Sequence, residues 1–391
     1  MKKVYLDNNS STQIDQGVLD VMMPYLKERY GNPSNLHCFG REAREAIEQA
    51  RAQVACLINA KPEEIIFTSS GTESNNMAIK GCLYASDVKE KHLITSSIEH
   101  SSVMHTFEFI NKFQLGRTAK LGVNQNGIVE PDELKKIITN NTILVSVMHC
   151  NNEIGTIQPT KELVQITHDK NAYFHTDAVA SISKLNVDVK DLGVDLLTIT
   201  AHKIHGPKAV AALYVREGLK IESLIHGGTH EHGLRAGTEN VASIAGFGKA
   251  AEIARQDLID KAPAKIKILR DYLETEIDKR IPEIRINGHP TDRVCNITNI
   301  SFAYVEGEAL LVNLDLEGIA VSSVSACTVG KAEPSHVLKA MGVEEKYVNS
   351  PIRFSLDKSN TKEEIDYTID TLVKIVERLR ASPLFGNRNN P

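Results

Sequence analysis

The stretch VDLLTITAHKIHGP occupies residues 194–207, and the part up to Thr200 has the largely apolar character of a buried strand. Lys203 follows at the predicted carboxyl end of this strand, and Gly206 and Pro207 then predict a turn. Desolvation at such a place favours the neutral, nucleophilic amine over the ammonium. A lone lysine of this kind is more often a surface loop residue, so neighbouring strands must supply the rest of a site.

A nucleophilic amine forms a Schiff base with an aldehyde, and pyridoxal phosphate is the commonest aldehyde cofactor. Its pyridine nitrogen needs a buried carboxylate at the end of a neighbouring strand to stay protonated. Asp177 fits this need, because it lies near the end of a short strand predicted over residues 172–178. The alternative is that Asp177 caps a helix, since aspartate before the Ala-Val-Ala run of residues 178–180 is a common N-cap.

The phosphate of this cofactor needs backbone amides and hydroxyls at the start of a helix. A strand is predicted over residues 64–68, and a helix over residues 74–84 follows it. Gly71 and Thr72 lie between them, where amide groups and a hydroxyl would face an anion. This signal is weak alone, because many α/β proteins contain a strand, a Gly-Thr turn and a helix.

Two further predicted strands lead to polar side chains. His100 follows a strand at residues 92–95 and is a candidate to stack on the cofactor ring. Asn152 follows a strand at residues 142–148, and its amide is a candidate to bond the ring oxygen or a substrate carboxylate. Ligands of an open α/β sheet bind at the carboxyl ends of its strands, so we expect these groups to converge.

The order of these groups along the chain resembles the fold-type-I pyridoxal phosphate enzymes and, among them, the class-V-aminotransferase-like cysteine desulfurases. The resemblance covers nearly the whole chain, and residues 7–12 and 31–37 are similar to the amino-terminal signatures of that family. The cofactor-binding residues that it implies are Gly71, Thr72, His100, Asn152, Asp177, Thr200, His202, Lys203 and Thr238. Residues 234–240 match a segment that crosses a homodimer interface, where Thr238 would reach the phosphate bound by the other subunit.

The resemblance also assigns two residues to sulfur chemistry. Cys327 matches the sulfur-accepting cysteine of the family, and Arg353 matches the arginine that grips the substrate carboxylate. Physical reasoning supports both roles, because arginine binds a carboxylate bidentately and a transferable sulfur needs a thiolate on a loop. Cysteine is otherwise a small buried hydrophobe, which is our expectation for Cys56 and Cys82. No CxxC spacing is present, so we expect no cysteine-bound metal.

Several positions depart from the family pattern. Ala180 replaces a glutamine that bonds the cofactor's ring oxygen, and Val324 replaces a glycine shortly before Cys327. Asp357 and Lys358 stand where the family usually has Gly-Arg. We expect these changes to affect the rate, the substrate preference and the choice of partner rather than the class of reaction.

Short strands alternate with helical patterns over most of the chain, which indicates an α/β fold with a mostly parallel sheet of the seven-stranded type. The later part shows amphipathic helices and strand-like runs, which indicate a small α+β domain. We therefore predict a cofactor-binding large domain at residues 15–260. The predicted small domain combines residues 1–14 with residues 261–391 and carries Cys327 and Arg353.

Composition agrees with a two-domain globular enzyme. The chain has 391 residues and a formal net charge of −5 at pH 7, which gives no electrostatic basis for direct binding of nucleic acid or a membrane surface. We find no run long enough to span a bilayer, and Asp7 precedes any core of a signal peptide. Free cysteines without a disulfide-like spacing favour a reducing cytoplasm.

The resemblance thus implies a cysteine desulfurase that converts L-cysteine to L-alanine and leaves a persulfide on Cys327. Lys203 would move the α-proton, and His100 would shuttle a proton to or from sulfur. The sulfur would serve iron–sulfur cluster assembly or tRNA thiolation through an acceptor or scaffold protein. Two alternatives stay open: a selenocysteine lyase or related β-elimination enzyme, and a weakly active scaffold-binding or regulatory paralogue.

Overall fold

The computed structural model describes residues 2–323 and 334–382. Its strands are β1 Val4–Tyr5, β2 Ile65–Thr68, β3 His92–Ser96, β4 Arg117–Leu121, β5 Thr142–Ser146, β6 Tyr173–Asp177, β7 Leu196–Thr200, β8 Ala211–Val215, β9 Ile284–Asn287, β10 Ile297–Phe302, β11 Ile319–Ala320, β12 Ser322–Ser323 and β13 Pro351–Ser355. Its α-helices are α1 Gln16–Lys27, α2 Cys38–Leu57, α3 Gly71–Ala85, α4 Ser101–Lys112, α5 Pro131–Ile137, α6 Thr160–His168, α7 Val189–Leu192, α8 Val241–Ile259, α9 Ala262–Arg280, α10 Gly307–Leu316, α11 His336–Ala340, α12 Glu345–Val348 and α13 Lys362–Ala381.

The largest sheet has seven strands in the order β2-β8-β7-β6-β5-β3-β4. Strands β4, β3, β5, β6 and β7 pair in parallel, whereas β8 is antiparallel to both of its neighbours. The sheet is therefore mostly parallel, which confirms the predicted α/β fold class. Because β3, β5, β6 and β7 run in the same direction, their carboxyl ends meet at one edge.

Helices cover both faces of this sheet, which explains why its strands other than the edge strand β4 are largely buried on both sides. In β2 the side chain of Ile66 belongs to one hydrophobic core, and those of Ile65 and Phe67 belong to the other. Helices α3 and α4 contribute to the core that contains Ile66, and α2 and α8 contribute to the opposite one. The sheet thus forms the middle of three layers.

A separate hydrophobic core joins the first residues of the chain to its last third. Val4 and Leu6 pack there with apolar residues of α9, α10 and α13. The accompanying sheet has the antiparallel order β12-β13-β10-β9, and β1 pairs in parallel with β11. The small α+β domain and the boundaries of the two domains stay predictions.

Two predicted element ends move by a few residues. Helix α3 begins at Gly71 rather than at Ser74, because the Ser70 hydroxyl accepts a hydrogen bond from the Glu73 N–H at 3.1 Å and caps the helix. Strand β5 ends at Ser146, two residues earlier than predicted. Helix α3 therefore presents its first turn directly at the end of β2.

The prediction that Cys56 is a buried packing residue is wrong. Cys56 is exposed, whereas Cys82 in α3 is buried as predicted. Helix α2 turns Val54, Ala55 and Leu57 toward the core, and Cys56 falls outside that stripe. Apolar neighbours in the sequence were therefore a poor guide to its environment.

The last helix, α13, starts at a capping box. Thr361 Oγ1 accepts from the Glu364 N–H at 3.3 Å, and a Glu364 carboxylate oxygen accepts from the Thr361 N–H at 3.1 Å. Neither this helix nor another within the described ranges is both long enough and apolar enough to cross a membrane.

Candidate active site

A cavity of about 680 Å³ lies at the carboxyl edge of the large sheet. Most of the predicted site residues line it. These are Gly71, Thr72, His100, Asn152, Asp177, Thr200, His202, Lys203 and Arg353. The ends of five strands and the start of α3 thus converge on one space, and β13 brings Arg353 to it from the smaller sheet.

Two predicted residues are not in this group. Thr238 is exposed and does not line the cavity. Cys327 lies outside the described residues, as does Val324. Ser323 lines the cavity, so the described chain reaches the site shortly before Cys327 in the sequence.

Lys203 ends a single 3-10 turn, Ala201–Lys203, that follows β7 directly. The chain folds back closely there. A Cβ atom at position 206 would lie only 2.8 Å from the Ala201 carbonyl oxygen, so glycine is required at Gly206. The turn therefore fixes Lys203 at the end of its strand.

The Lys203 amine lies among main-chain oxygens. Its Nζ donates to the carbonyl oxygens of Asn9 and Ser10, at 2.5 and 2.8 Å. Burial, reinforced by the nearby positive charge of Arg353, lowers the pKa of Lys203 to about 8. A larger fraction of this amine is therefore neutral near pH 7 than in an exposed lysine, as its predicted role as a nucleophile requires.

Asp177 is the last residue of β6, and both of its carboxylate oxygens have partners. Oδ2 accepts from Asn75 Nδ2 at 2.8 Å, and Oδ1 accepts from the Val179 N–H at 3.0 Å. The second bond is the capping contact considered as the alternative, but it closes a turn and starts no helix. Asp177 still lines the cavity, so the local turn and the predicted site are compatible.

The start of α3 offers the donors that a phosphate needs. Ser69, Ser70, Gly71 and Thr72 line the cavity, and the cation Lys208 joins them. The first amide groups of a helix have no carbonyl partners within it; the Ser70 hydroxyl caps the Glu73 amide, and the amides of Gly71 and Thr72 are the ones that an anion can bind. A reactive amine, a buried carboxylate and an anion cradle therefore surround one cavity, and the residues present fit pyridoxal phosphate.

Thr200 and His202 lie on either side of Ala201, immediately before Lys203 in the sequence. Thr200 Oγ1 donates to the Val210 carbonyl oxygen at 3.2 Å, which secures the end of β7. Burial, followed by the charges of Lys203 and Lys208, lowers the pKa of His202 to about 4. His202 is therefore neutral at physiological pH and offers the site hydrogen bonds rather than charge.

Arg353 is buried and already strongly bonded. Its Nη2 donates to Asp7 Oδ1 at 2.9 Å and to Ser10 Oγ at 2.7 Å. Its Nη1 donates to the Asn152 carbonyl oxygen at 3.1 Å, whereas Nε has no partner in the described part of the chain. A substrate carboxylate that binds Arg353 bidentately, as the sequence predicted, therefore competes with Asp7 for Nη2.

His100 caps α4 and is linked to Asp177 through two residues that the sequence analysis missed. His100 Nδ1 lies 2.8 Å from Ser102 Oγ, and Asn75 Nδ2 lies 2.8 Å from that same oxygen. Burial lowers the pKa of His100, and the negative charge of Asp177 acts in the opposite direction. Asn75 is a polar residue on the buried face of α3, and this was the sequence feature that could have identified it.

Glu153 is a further unpredicted group of the cavity wall. It is 6% exposed, and its Oε2 accepts from Ser335 Oγ at 2.5 Å. Burial raises the pKa of Glu153 to about 7, although the Ser335 bond and the charge of Arg353 act against this. The cavity thus contains a carboxyl group that holds a proton near neutral pH.

Ala180 lines the cavity, as expected of a position that carries a cofactor-binding glutamine in the family that the chain resembles. It is 8% exposed and packs with Cys150, Val294 and Ile297. The alanine brings no side-chain donor to this wall. Its neighbour Cys150 is buried, and burial raises the pKa of that thiol. The wall near Ala180 is therefore apolar.

The chain is similar to known proteins along nearly its whole length. Residues 4–368 match the aminotransferase class-V family. A cysteine desulfurase IscS of Dictyoglomus turgidum is 51% identical over 379 residues, which are 97% of this chain and 96% of that protein. A cysteine desulfurase IscS of Methanosarcina thermophila is 46% identical over 384 residues, which are 98% and 94% of the two chains.

Solved structures agree with these relatives. A NifS-like protein matches with a TM-score of 0.90 and 37% sequence identity, covering 96% of this chain and all 100% of the other. The structure of SspA in complex with cysteine matches with a TM-score of 0.81 and 33% identity, covering 92% and 100%. The similarity covers the residues that line the cavity as well as the hydrophobic cores around the large sheet.

Proposed function

The chain belongs to the aminotransferase class-V family and, within it, to the pyridoxal phosphate-dependent cysteine desulfurases, and from this membership we propose how its own residues take sulfur from L-cysteine. The observation that carries the proposal is the single cavity that brings Lys203, Asp177 and Arg353 together. The proposed products are L-alanine and a persulfide on Cys327.

Pyridoxal phosphate, when bound, supplies an electron sink that stabilises negative charge at the substrate α-carbon. The residues proposed to hold it are Gly71, Thr72, His100, Asn152, Asp177, Thr200, His202 and Lys203, together with Thr238 of the partner subunit. Asp177 serves the pyridine nitrogen, because its carboxylate lines the cavity at the end of β6. The start of α3 serves the phosphate.

Arg353 and Lys203 act on the substrate. Arg353 binds the substrate carboxylate, with Asn152 beside it. Lys203 takes the proton from the α-carbon, which its neutral amine is able to do because burial lowers its pKa to about 8. The two groups approach the substrate from different sheets, so the position of the substrate depends on how those sheets are held together.

Cys327 completes the reaction in this proposal. Its thiolate forms a bond to the substrate sulfur, the carbon–sulfur bond breaks with its electron pair kept by the carbon skeleton, and protonation of that skeleton gives L-alanine. This role rests on the family resemblance, because Cys327 lies outside the described residues.

The decisive experiment measures alanine and sulfide from L-cysteine, with a reductant, for the wild type and for Cys327→Ala. We expect equal amounts of both products from the wild type and neither from the variant, while both proteins keep the absorption band of the bound cofactor. Cys56→Ala is the matched control, because Cys56 is exposed on α2 and away from the cavity. Full turnover by Cys327→Ala would contradict the persulfide step.

Selenocysteine lysis is the second candidate function. The observation that favours testing it is the alanine at position 180. The apolar wall at Ala180 departs from the family pattern on the surface of the cavity. Release of selenide does not require a protein thiol. Turnover of selenocysteine that survives Cys327→Ala, with no turnover of L-cysteine, would assign the lyase. A colourless protein that binds an acceptor and turns over neither substrate would support the regulatory alternative.

We also propose a homodimer. Tyr30, Leu36 and Phe39 are 79%, 90% and 48% exposed, and such an apolar patch is typical of an interface. Ser34 Oγ lies 3.4 Å from His230 Nε2, so the patch adjoins the segment that carries Thr238. A second copy of the chain would cover the patch and receive Thr238 at its own cavity.

Leu36→Glu tests this interface. We expect sedimentation to shift from dimer to monomer at micromolar concentration and cofactor to be lost more readily, because a charge replaces the most exposed apolar side chain of the patch. Ile268→Glu is the control, since Ile268 is 69% exposed on α9 and distant in sequence from the patch. A Leu36→Glu protein that remains dimeric would contradict the proposed surface.

The persulfide sulfur is proposed to pass to a protein acceptor for iron–sulfur cluster assembly or tRNA thiolation in the cytoplasm. The free thiols of Cys38 and Cys56 on the surface support a reducing compartment. Transfer of radioactive sulfur from L-cysteine to a scaffold protein, through the wild type and not through Cys327→Ala, would identify the acceptor.

A further inference from the structure

Asn75 is a polar side chain that the proposed reaction does not use. It lies in the second turn of α3 with 1% of its surface exposed. Its Nδ2 lies 2.8 Å from Asp177 Oδ2 and 2.8 Å from Ser102 Oγ, and that oxygen lies 2.8 Å from His100 Nδ1. A continuous chain of hydrogen bonds therefore joins Asp177 to His100.

The chemistry of these groups fixes the direction of each bond. An ionised carboxylate only accepts, so Asn75 turns its NH2 group to Asp177. The second hydrogen of that group goes to Ser102 Oγ, while Asn75 Oδ1 has no partner within the described ranges. The Ser102 hydroxyl has one hydrogen of its own, and His100 Nδ1 is the acceptor that receives it.

His100 Nδ1 is thus an acceptor in this arrangement. The Ser102 main-chain N–H donates to the same nitrogen at 3.2 Å, so a proton on Nδ1 would face two donors. A neutral imidazole carries one N–H, which must then be on Nε2. The ring lines the cavity, and Nε2 makes no hydrogen bond to a described residue.

We propose that Asn75 and Ser102 are positioning residues that hold His100 as the neutral tautomer with its proton on Nε2. Resting His100 is then a hydrogen-bond donor to the cavity and not a base. This replaces the two-way proton shuttle expected from the sequence. Its consequence for catalysis rests on the proposed function: resting His100 offers the substrate sulfur a hydrogen bond from Nε2 and takes no proton from it.

The charges around His100 act in both directions. Burial lowers the pKa of His100, Asp177 raises it, and Lys203 and His105 lower it again. His336 is also close enough to interact with His100 through charge. The hydrogen-bond chain acts with the lowering influences, because protonation at Nδ1 costs the ring both of its donors.

The test reads the tautomer directly in the cofactor-loaded protein without substrate. Long-range proton–nitrogen NMR of protein labelled with ¹⁵N-histidine distinguishes a protonated ring nitrogen from an unprotonated one, and His100→Gln identifies the signals. In the neutral ring of the wild type we expect Nδ1 to be unprotonated and Nε2 to be protonated. Because no turnover is involved, failure of the proposed desulfurase reaction would leave this result unchanged.

Two variants separate positioning from folding. Ser102→Ala removes the hydroxyl donor and keeps the main-chain donor, and Asn75→Leu removes both bonds of the amide. We expect each to produce a mixture of tautomers and to raise the pH at which His100 gains its second proton. Asn76→Leu, the same change at the neighbouring position of α3, should leave the wild-type pattern intact.

Three outcomes of these NMR measurements decide whether the proposal holds. A protonated Nδ1 in the neutral ring of the wild type would overturn the proposal. An unchanged tautomer and titration in Ser102→Ala would also overturn it, even if Asn75→Leu failed to fold. A mixed tautomer in Ser102→Ala with a normal cofactor band would support it, because a merely structural role predicts no change at the imidazole.

Discussion

His205 Nε2 lies 3.0 Å from Asp357 Oδ1, and this contact ties the turn after Lys203 to the chain that follows Arg353. His205 Nδ1 also bonds the Gln13 carbonyl oxygen at 2.9 Å. The residue expected at position 357 from the family pattern was glycine, which has no side chain to make such a bond. Asp357 therefore supplies a connection of its own between the amine and the carboxylate-binding arginine.

Asp357→Asn should lower the free energy of unfolding by about 1.5–3 kcal/mol, the range for a hydrogen bond to a charged group. Burial opposes ionisation, but the His205 bond and charge hold the pKa of Asp357 well below its ordinary value. A depressed carboxyl pKa stabilises the fold above the unfolded pKa of about 3.9 and loses this effect as pH falls below it. The difference between variant and wild type should therefore shrink as the pH falls below about 4.

Urea denaturation of the loaded protein across this pH range measures the effect. Asp257→Asn is the control, because its bond to Lys358 at 2.6 Å is partly exposed and such pairs contribute little. A loss of stability that is equal for both variants, or independent of pH down to pH 3, would contradict the assigned role of Asp357.

Cofactor attachment to the empty protein should depend on the ionisation of Lys203. Only the neutral amine attacks the aldehyde, and the pKa of Lys203 is lowered to about 8. We therefore expect the attachment rate, followed by absorbance after mixing with pyridoxal phosphate, to rise as pH increases through about 8. A midpoint near the ordinary lysine value of about 10.4 would show that burial does not act on this amine.

Arg353→Lys should raise the KM for L-cysteine by about 10- to 100-fold, because an ammonium cannot reproduce the planar set of donors. The lysine keeps the positive charge, so the effect isolates geometry from charge. Arg280→Lys is the matched control, since the Arg280 bond to Asp370 lies on the surface. Steady-state kinetics that show equal KM values for wild type and Arg353→Lys would remove Arg353 from the substrate site.

Ala209 holds a strained backbone at the cavity wall. Its φ angle is +60°, a region that costs a non-glycine residue about 1 kcal/mol or more. Ala209→Gly should therefore stabilise the protein by up to about 1 kcal/mol, as measured by urea denaturation. Gly218→Ala is the reciprocal control, because Gly218 has a φ of +84° with open space around it, and alanine should destabilise it by a similar amount.

The strand ends were predictable because their signal is local. Lys203 and Asp177 each follow a short apolar run, and the direction of parallel strands then brings them together. The partners of these residues were not predictable in the same way. Asn75 and Asp177 are 102 residues apart, and Asp7 and Arg353 are 346 apart, so their contacts depend on how whole elements pack.

The contrast between local signals and long-range contacts also explains the remaining differences between the predictions and the structure. The family pattern identified Ala180 and Asp357 as departures, but only the folded chain shows that one leaves an apolar wall and the other gains a partner. The roles of Thr238 and Cys327 and the boundaries of the two domains stay predictions, and Cys327→Ala tests the role of Cys327.

The bond between Asp7 and Arg353 has a consequence for selectivity among amino acids. A substrate carboxylate that takes the Nη2 position must displace a carboxylate already there, so one anion is exchanged for another and the net electrostatic gain is small. The carboxylate that every free amino acid shares therefore gains less at Nη2 than it would at an unpaired guanidinium. Abundant amino acids such as glutamate should then be poor competitors, and recognition is left to the side chain, where the sulfur is.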